Sequence, residues 1–256
     1  IDSACDGISS IIHLAAMNAQ SCSADPEEAL LVNGLGTFKL LKAAKKNKVS
    51  KFLYFSTAHV YGSPLIGEVN EELLPRPVHP YSITHRVAED YVLEEVYKAR
   101  LSASVFRLTN AVGSPITPQA NCWILVANDF CRQAVISNSI KVHSNKLLQR
   151  DFIPISSICS IVSSSLNSNV LDGEIVNLSS GISITLQSLA TLIANRAEVV
   201  LGFRPHIDFL NNSIETGVEN LTVSNRKLTD LGFEIDSNLS DEIDQLLLNC
   251  NKWFNN

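Results

Sequence analysis

The chain has 256 residues, 45% of them hydrophobic and 18% charged, with a formal net charge of -6. That length and balance fit one large folded domain or two small ones and exclude a disordered chain. The acidic excess argues against a nucleic-acid-binding face, and no apolar run approaches the roughly 20 residues that cross a bilayer, so neither nucleic acid nor membrane is expected as a partner.

The first predicted element is a continuous apolar strand over Ser10–Ala16, ending in small residues. An amphipathic helix follows over Asp25–Asn47. Asp25 suits its N-cap, Pro26 its first position, Glu27 and Glu28 the positive end of its dipole, and the lysines its last turns. Lys51–Ser56 is the next strand, then a long loop with prolines at 64, 75, 77 and 80, a helix from about Tyr81 to Ala99, and a strand over Ala103–Thr109. Near-continuous apolar strands alternating with helices predict a parallel sheet covered on both faces. Ligands of such sheets bind beyond the carboxyl ends of the strands.

After Pro115 the rhythm is less regular. A helix is expected over about Cys122–Ile136 and a short strand at "SIKVH". "RDFIPISSICSIVSSSL" reads as a loop entering a helix, "EIVNLSS" as a buried strand, and "SITLQSLATLIANRAEVVLG" as helical. "HIDFL" and "LTV" read as short extended pieces, and two helices are expected near "SNRKLTDLG" and "LSDEIDQLLLNCNKWF". The six cysteines (Cys5, Cys22, Cys122, Cys131, Cys159 and Cys250) form no CxxC pair and read as reduced thiols of a cytoplasmic protein. The six histidines show no metal-ligand spacing, so no metal site is expected.

Two short stretches carry chemistry only in combination. "STAHVYG" sends the hydroxyls of Ser56 and Thr57 off the end of a strand, where such residues are usually local backbone caps. "PYSITH" places Tyr81 and His85 four residues apart on one helix face. A tyrosine there serves equally as a packed aromatic or, with its pKa lowered, as a general acid/base.

Taken in order, "IIHLAA", "STAHVYG", "PYSITH", "RLTNAVGSP" and "RDFIPI" resemble the NAD-dependent sugar-nucleotide epimerase/dehydratase family of extended short-chain dehydrogenase/reductases. The resemblance runs from Cys5 to about Leu192 and more loosely beyond. It implies an α/β fold: a Rossmann-like doubly wound parallel sheet, lacking its N-terminal strands, with a smaller C-terminal α+β substrate lobe. Residues 1–112 and 151–180 would form a partial dinucleotide-binding domain, and 113–150 with 181–256 the substrate lobe. Thr57, Tyr81 and His85 fall at the catalytic positions. Ala15 and Ala16, with Asn33, Tyr81 and His85, fall along the path of the cofactor, NAD or NADP with NAD favoured. Thr57, Asn110 and Arg150 would contact a nucleotide-diphosphate sugar, Arg150 through the planar fork that suits phosphate oxygens. Arg150 also reads as an ion-pair partner for Asp151 or another acid.

Three departures qualify the resemblance. No GxxGxxG turn occurs in the sequence, so the pyrophosphate seat and the residue that selects NAD over NADP are expected upstream of Ile1, and this chain is expected to be an N-terminally truncated piece that binds dinucleotide weakly. The acidic pair of the family's dehydratases is replaced by Ala58 and His59, which argues for an epimerase or reductase. His59 offers acid/base capacity but reads more simply as a solvated or capping residue. Third, His85 stands where the family has lysine. An imidazole with an ordinary pKa near 6.5 is mostly neutral at about pH 7 to 8, so its electrostatic help to Tyr81 is weakened or pH-dependent. The enzyme reading is a NAD(P)-dependent epimerase or reductase with Tyr81 as acid/base. The other is a non-catalytic sugar-nucleotide or dinucleotide-binding regulator on the same fold. The family also implies a homodimer through the helices near 26–47 and 81–99, where Leu30, Leu40, Leu41, Val87, Tyr91 and Val92 serve either the sheet or a partner.

Overall fold

The computed structural model describes residues 1–210 and 220–255. In chain order come β1 (Ser10–His13), α1 (Ala19–Ala24), α2 (Pro26–Ala29), a π-helical turn (Leu30–Leu35), α3 (Gly36–Lys46), β2 (Lys51–Thr57), a 3-10 turn (Ala58–Tyr61), β3 (Gly67–Val69), α4 (Pro80–Tyr97), β4 (Ser102–Leu108) and β5 (Asn110–Val112). The remainder is α5 (Val126–Ser137), β6 (Ser139–Val142), β7 (Gln149–Pro154), α6 (Ile155–Leu166), β8 (Ile175–Leu178), β9 (Ser183–Thr185), α7 (Leu186–Leu201), β10 (His206–Phe209), β11 (Leu221–Val223), α8 (Arg226–Asp230) and α9 (Ser240–Phe254).

A four-stranded parallel sheet, ordered β1-β2-β4-β8, forms the centre. Every residue of β2 is buried, as a strand covered on both faces requires. The two-residue period of the strand sorts its side chains. Phe52 and Tyr54 pack with Ala103 and Val105 under Leu41 and Ala44 of α3 and Ala88 and Val92 of α4. Leu53 and Phe55 point the other way and join Phe106, Val176 and Leu178 against Ile158 and Ile161 of α6. A separate apolar cluster unites α5, α7 and α9 with β6 through Phe130, Ala134, Ile140, Leu189, Ile193 and Leu246. Smaller parallel pairs, β3 with β11 and β6 with β10, and a three-stranded set ordered β5-β7-β9, complete the described pairing.

The predicted helix over Asp25–Asn47 is interrupted: α2 passes through the π turn into α3, and α1 precedes it. Its start is as expected, with the Asp25 carboxylate accepting from the Glu28 amide at 2.9 Å and Pro26 in the first turn. "RDFIPI" is strand β7, not loop. Its partners, β5 on one side and β9 on the other, are distant in sequence, so nothing local announces the strand. "SITLQSLATLIANRAEVVLG" likewise opens with β9 before α7.

Of the residues open to either sheet or partner, Leu41 and Val92 are fully committed to the sheet. Leu30 and Tyr91 stay exposed on the outer side with Leu31, Leu35 and Ile83. All six cysteines are free thiols, four of them buried. Among the described residues no helix is long and apolar enough to cross a membrane, and no cluster of His, Cys, Asp or Glu is arranged to hold a metal.

Candidate active site

The carboxyl end of β2 delivers Ser56 and Thr57, both buried. The Thr57 hydroxyl accepts from the His59 amide at 3.2 Å and so opens the 3-10 turn. That turn closes at Gly62, whose φ of 138° favours glycine. The chain returns to the site at α4. Its N-cap is His79, whose Nδ1 accepts from the Tyr81 amide at 3.2 Å in a capping box with Ser82. This cap fixes where Tyr81 leaves the helix. The Thr57 side chain lies near enough to the Tyr81 phenol to lower its pKa, but desolvation is the larger effect and raises it. The fold thus brings Thr57 and Tyr81 near one another, and burial favours the protonated phenol.

His85 lies one turn further along, its ring edge-on to Tyr81 with centroids 4.4 Å apart. Burial, with the nearby His13 adding to it, lowers its pKa to about 4. Of the two expectations for His85, help to Tyr81 that is weakened or that depends on pH near neutrality, burial favours the first, because it holds the imidazole in its neutral form. Its Nδ1 lies 2.8 Å from the Tyr54 hydroxyl, and its buried Nε2 has no hydrogen-bond partner among the described residues. Tyr54 was not picked out in the sequence, where it reads only as one more apolar strand residue.

Asn33 sits on the π turn, almost completely buried. Its carbonyl oxygen accepts from the Met17 amide at 2.8 Å, and its amide donates to Thr84 Oγ1 at 3.0 Å. Thr84 in turn donates to the Tyr81 carbonyl at 3.0 Å. Asn33 thus ties the exit of β1 to the first turns of α4. π turns of this kind often occur at functional sites, and here the extra backbone residue coincides with the asparagine. Ala15 and Ala16 are exposed just beyond β1. His13, at the end of β1, contacts Thr37 Oγ1 at 2.9 Å, and Thr37 donates to the Asn33 carbonyl at 2.6 Å.

Asn110 and Arg150 come together on a cavity of about 200 Å³ that His59, Gln149 and Asp151 also line. The alternative reading of Arg150, an ion pair with Asp151 or another acid, is not seen among the described residues. The Asp151 carboxylate accepts from Thr109 Oγ1 at 2.7 Å and from the Ser180 amide and hydroxyl at 2.9 Å each. Arg150 makes no ion pair among the described residues, and partial burial lowers its pKa. The Asn110 amide donates to the Asp151 carbonyl at 2.8 Å, so that group is already committed to the fold. His59 is half-buried rather than fully solvated, and its backbone amide, not its side chain, makes the cap contact with Thr57. It lines the cavity and is held neutral by burial, and by the charges of Arg150 and His79.

The central parallel sheet with helices on both faces is a Rossmann-like α/β fold, and the site lies at the carboxyl ends of its strands. Residues 1–179 match the NAD dependent epimerase/dehydratase family, and the chain belongs to it. A GDP-6-deoxy-D-mannose reductase of Pseudomonas aeruginosa is 29% identical over 199 residues, covering 75% of this chain and 64% of that protein. A GDP-6-deoxy-D-talose 4-dehydrogenase of Aggregatibacter actinomycetemcomitans is 29% identical over 185 residues, 72% of this chain and 60% of its own length. The chain therefore spans less than two thirds of these relatives. Among solved structures, RMD from Pseudomonas aeruginosa complexed with NADPH superposes with a TM-score of 0.80 at 24% identity, over 95% of this chain and 82% of that one. A UDP-glucuronic acid 4-epimerase from Bacillus cereus, in complex with UDP-glucuronic acid and NAD, gives 0.79 at 21% identity, over 98% and 78%.

Proposed function

We propose that this chain carries the catalytic hydroxyls and sugar-nucleotide side of a NAD(P)-dependent enzyme acting on a nucleotide-diphosphate sugar. The meeting of Thr57 and Tyr81 at the end of β2 carries this reading. A bound nicotinamide supplies the hydride. Thr57 hydrogen-bonds the substrate oxygen, and Tyr81 gives its proton to that oxygen as the carbonyl becomes an alcohol. Arg150, without an acidic partner in the described chain, is placed to take up an anionic group such as a diphosphate. The nicotinamide end of the cofactor fits the residues present, because the buried Nε2 of His85 has no hydrogen-bond partner among the described residues.

Desolvation outweighs the Thr57 contribution and favours the protonated Tyr81 phenol. A proton donor suits reduction of a keto sugar better than oxidation of an alcohol, which needs a phenolate at the start. Reduction of a 4-keto or similar sugar nucleotide is accordingly the favoured direction, with an epimerase the second member of the same class. The Ala58-His59 pair in place of two acids remains against dehydration. Steady-state turnover of NADPH and NADH with keto-sugar nucleotides tests the assignment. Oxidation of the reduced cofactor supports it, whereas tight binding of a sugar nucleotide with no redox turnover supports the regulator instead. We further propose that the outer faces of the π turn, α3 and α4 pair with a second copy.

A further inference from the structure

His85 occupies an unusual chemical position. It is 3% exposed, and among the described residues its Nε2 has no partner and Nδ1 has only the Tyr54 hydroxyl at 2.8 Å. A neutral imidazole carries one proton, and which nitrogen holds it depends on what the other nitrogen meets. If Nδ1 held the proton and donated to Tyr54, the phenol proton would have no acceptor and Nε2 would be a second unmet group. If Tyr54 donates to Nδ1, the phenol proton is satisfied and Nε2–H alone is left over. Buried polar groups without partners are costly, so the arrangement with one unmet group wins over the arrangement with two. The Tyr54 ring is itself fixed in the sheet, buried in register with Val105 of β4 and stacked near His13 at 5.6 Å between centroids.

We propose that Tyr54 is a positioning residue that locks His85 in its Nε2–H tautomer, so that the imidazole presents a neutral N–H donor to an uncharged acceptor oxygen, a hydroxyl or carbonyl, of the bound dinucleotide. This rests on the NAD(P) reading above for the identity of the ligand, but the tautomer itself does not. A neutral donor suits a ribose hydroxyl and gives a phosphate no charge to neutralise. The arrangement supplies one directional bond and no electrostatic help to Tyr81, which agrees with a phenol that keeps its proton.

Nitrogen-15 NMR of the imidazoles in the intact protein reads the tautomer directly. The expected spectrum has His85 Nε2 pyrrole-like and Nδ1 pyridine-like, unchanged from about pH 5 to 8. Addition of NADPH or NADH should shift the Nε2–H resonance. Tyr54→Phe should mix the tautomers, visible as intermediate Nδ1 and Nε2 shifts, and raise the KM for the dinucleotide by about twofold, the Nε2–H fraction lost in an even mixture, with a smaller change in kcat. A pyrrole-like Nδ1 in the unmodified protein overturns the proposal, and needs no variant to fold. An Nε2–H signal that stays put while other resonances report bound dinucleotide overturns its ligand half. Failure of every resonance to respond to either dinucleotide overturns the cofactor reading, while the tautomer measurement is decided separately.

Discussion

Tyr81 and His85 share one desolvated corner and respond to it in opposite senses of charge, the phenol by holding a proton and the imidazole by refusing one. Tyr81→Phe should lower kcat/KM by about 10²- to 10⁴-fold, the usual worth of a positioned proton donor, with the melting temperature little changed. His85→Lys sets an ammonium beside the phenol and should bring the high-pH fall of the reductive rate to lower pH than in the unmodified protein, as pH-rate profiles would show. Acid stability follows from the same burial. Because the folded pKa of His85 is about 4 and an exposed histidine titrates near 6.5, the unfolded chain binds more protons between those values, and stability rises with pH there. Full stability is therefore present above about pH 6.5, and a few kcal/mol should be lost progressively on the way down to about pH 4, with His13 and His59 shifted in the same sense. Denaturant midpoints at several pH values check this, and His85→Leu should reduce the slope. The sequence made Thr57, Tyr81 and His85 legible because each lies in a short ordered motif. Tyr54 was hidden because its hydroxyl matters only through a partner 31 residues away.

Helix α4 carries both Tyr81 and His85, and its register against the sheet is pinned by a buried ion pair. Glu89 of α4 receives two hydrogen bonds from Arg107 of β4, at 3.0 and 2.8 Å, with both residues almost wholly excluded from solvent. The Arg107 guanidinium also lies 4.7 Å from the centre of the Tyr61 ring, and Tyr61 donates to Asn177 at 2.7 Å. Removal of Arg107 leaves the buried Glu89 carboxylate with only the partly exposed Arg86, at 3.2 Å, to offset it. Arg107→Ala should therefore cost about 3–5 kcal/mol in chemical denaturation, more than a matched pair of apolar replacements at both positions. Strand β2 was readable as a continuous apolar run and helix α4 from the proline at its start. Strand β7 was not, because its pairing with β5 and β9 is a tertiary event, and the π turn was not, because an inserted helical residue leaves the apolar spacing nearly unchanged.

At the scale of the molecule, the sheet and its helices were legible from the alternation of buried strands and amphipathic helices, while the ownership of the outer helix faces was not, since an apolar residue reads the same against a sheet or a partner. Leu31, Leu35, Ile83 and Tyr91 remain 39–48% exposed on that outer surface. Tyr91→Glu should shift the proposed dimer to monomer in sedimentation, leaving secondary structure intact. Unchanged sedimentation in the variant contradicts that assembly. Hydride chemistry at Thr57 and Tyr81 is the central proposal for the molecule. The most direct test is stopped-flow absorbance of NADPH or NADH mixed with the intact protein and a keto-sugar nucleotide. Oxidation of the cofactor by the unmodified protein, lost in Tyr81→Phe although that variant still binds both ligands, is the predicted result. Oxidation at an equal rate in Tyr81→Phe, or none in the unmodified protein with both ligands bound, would contradict it.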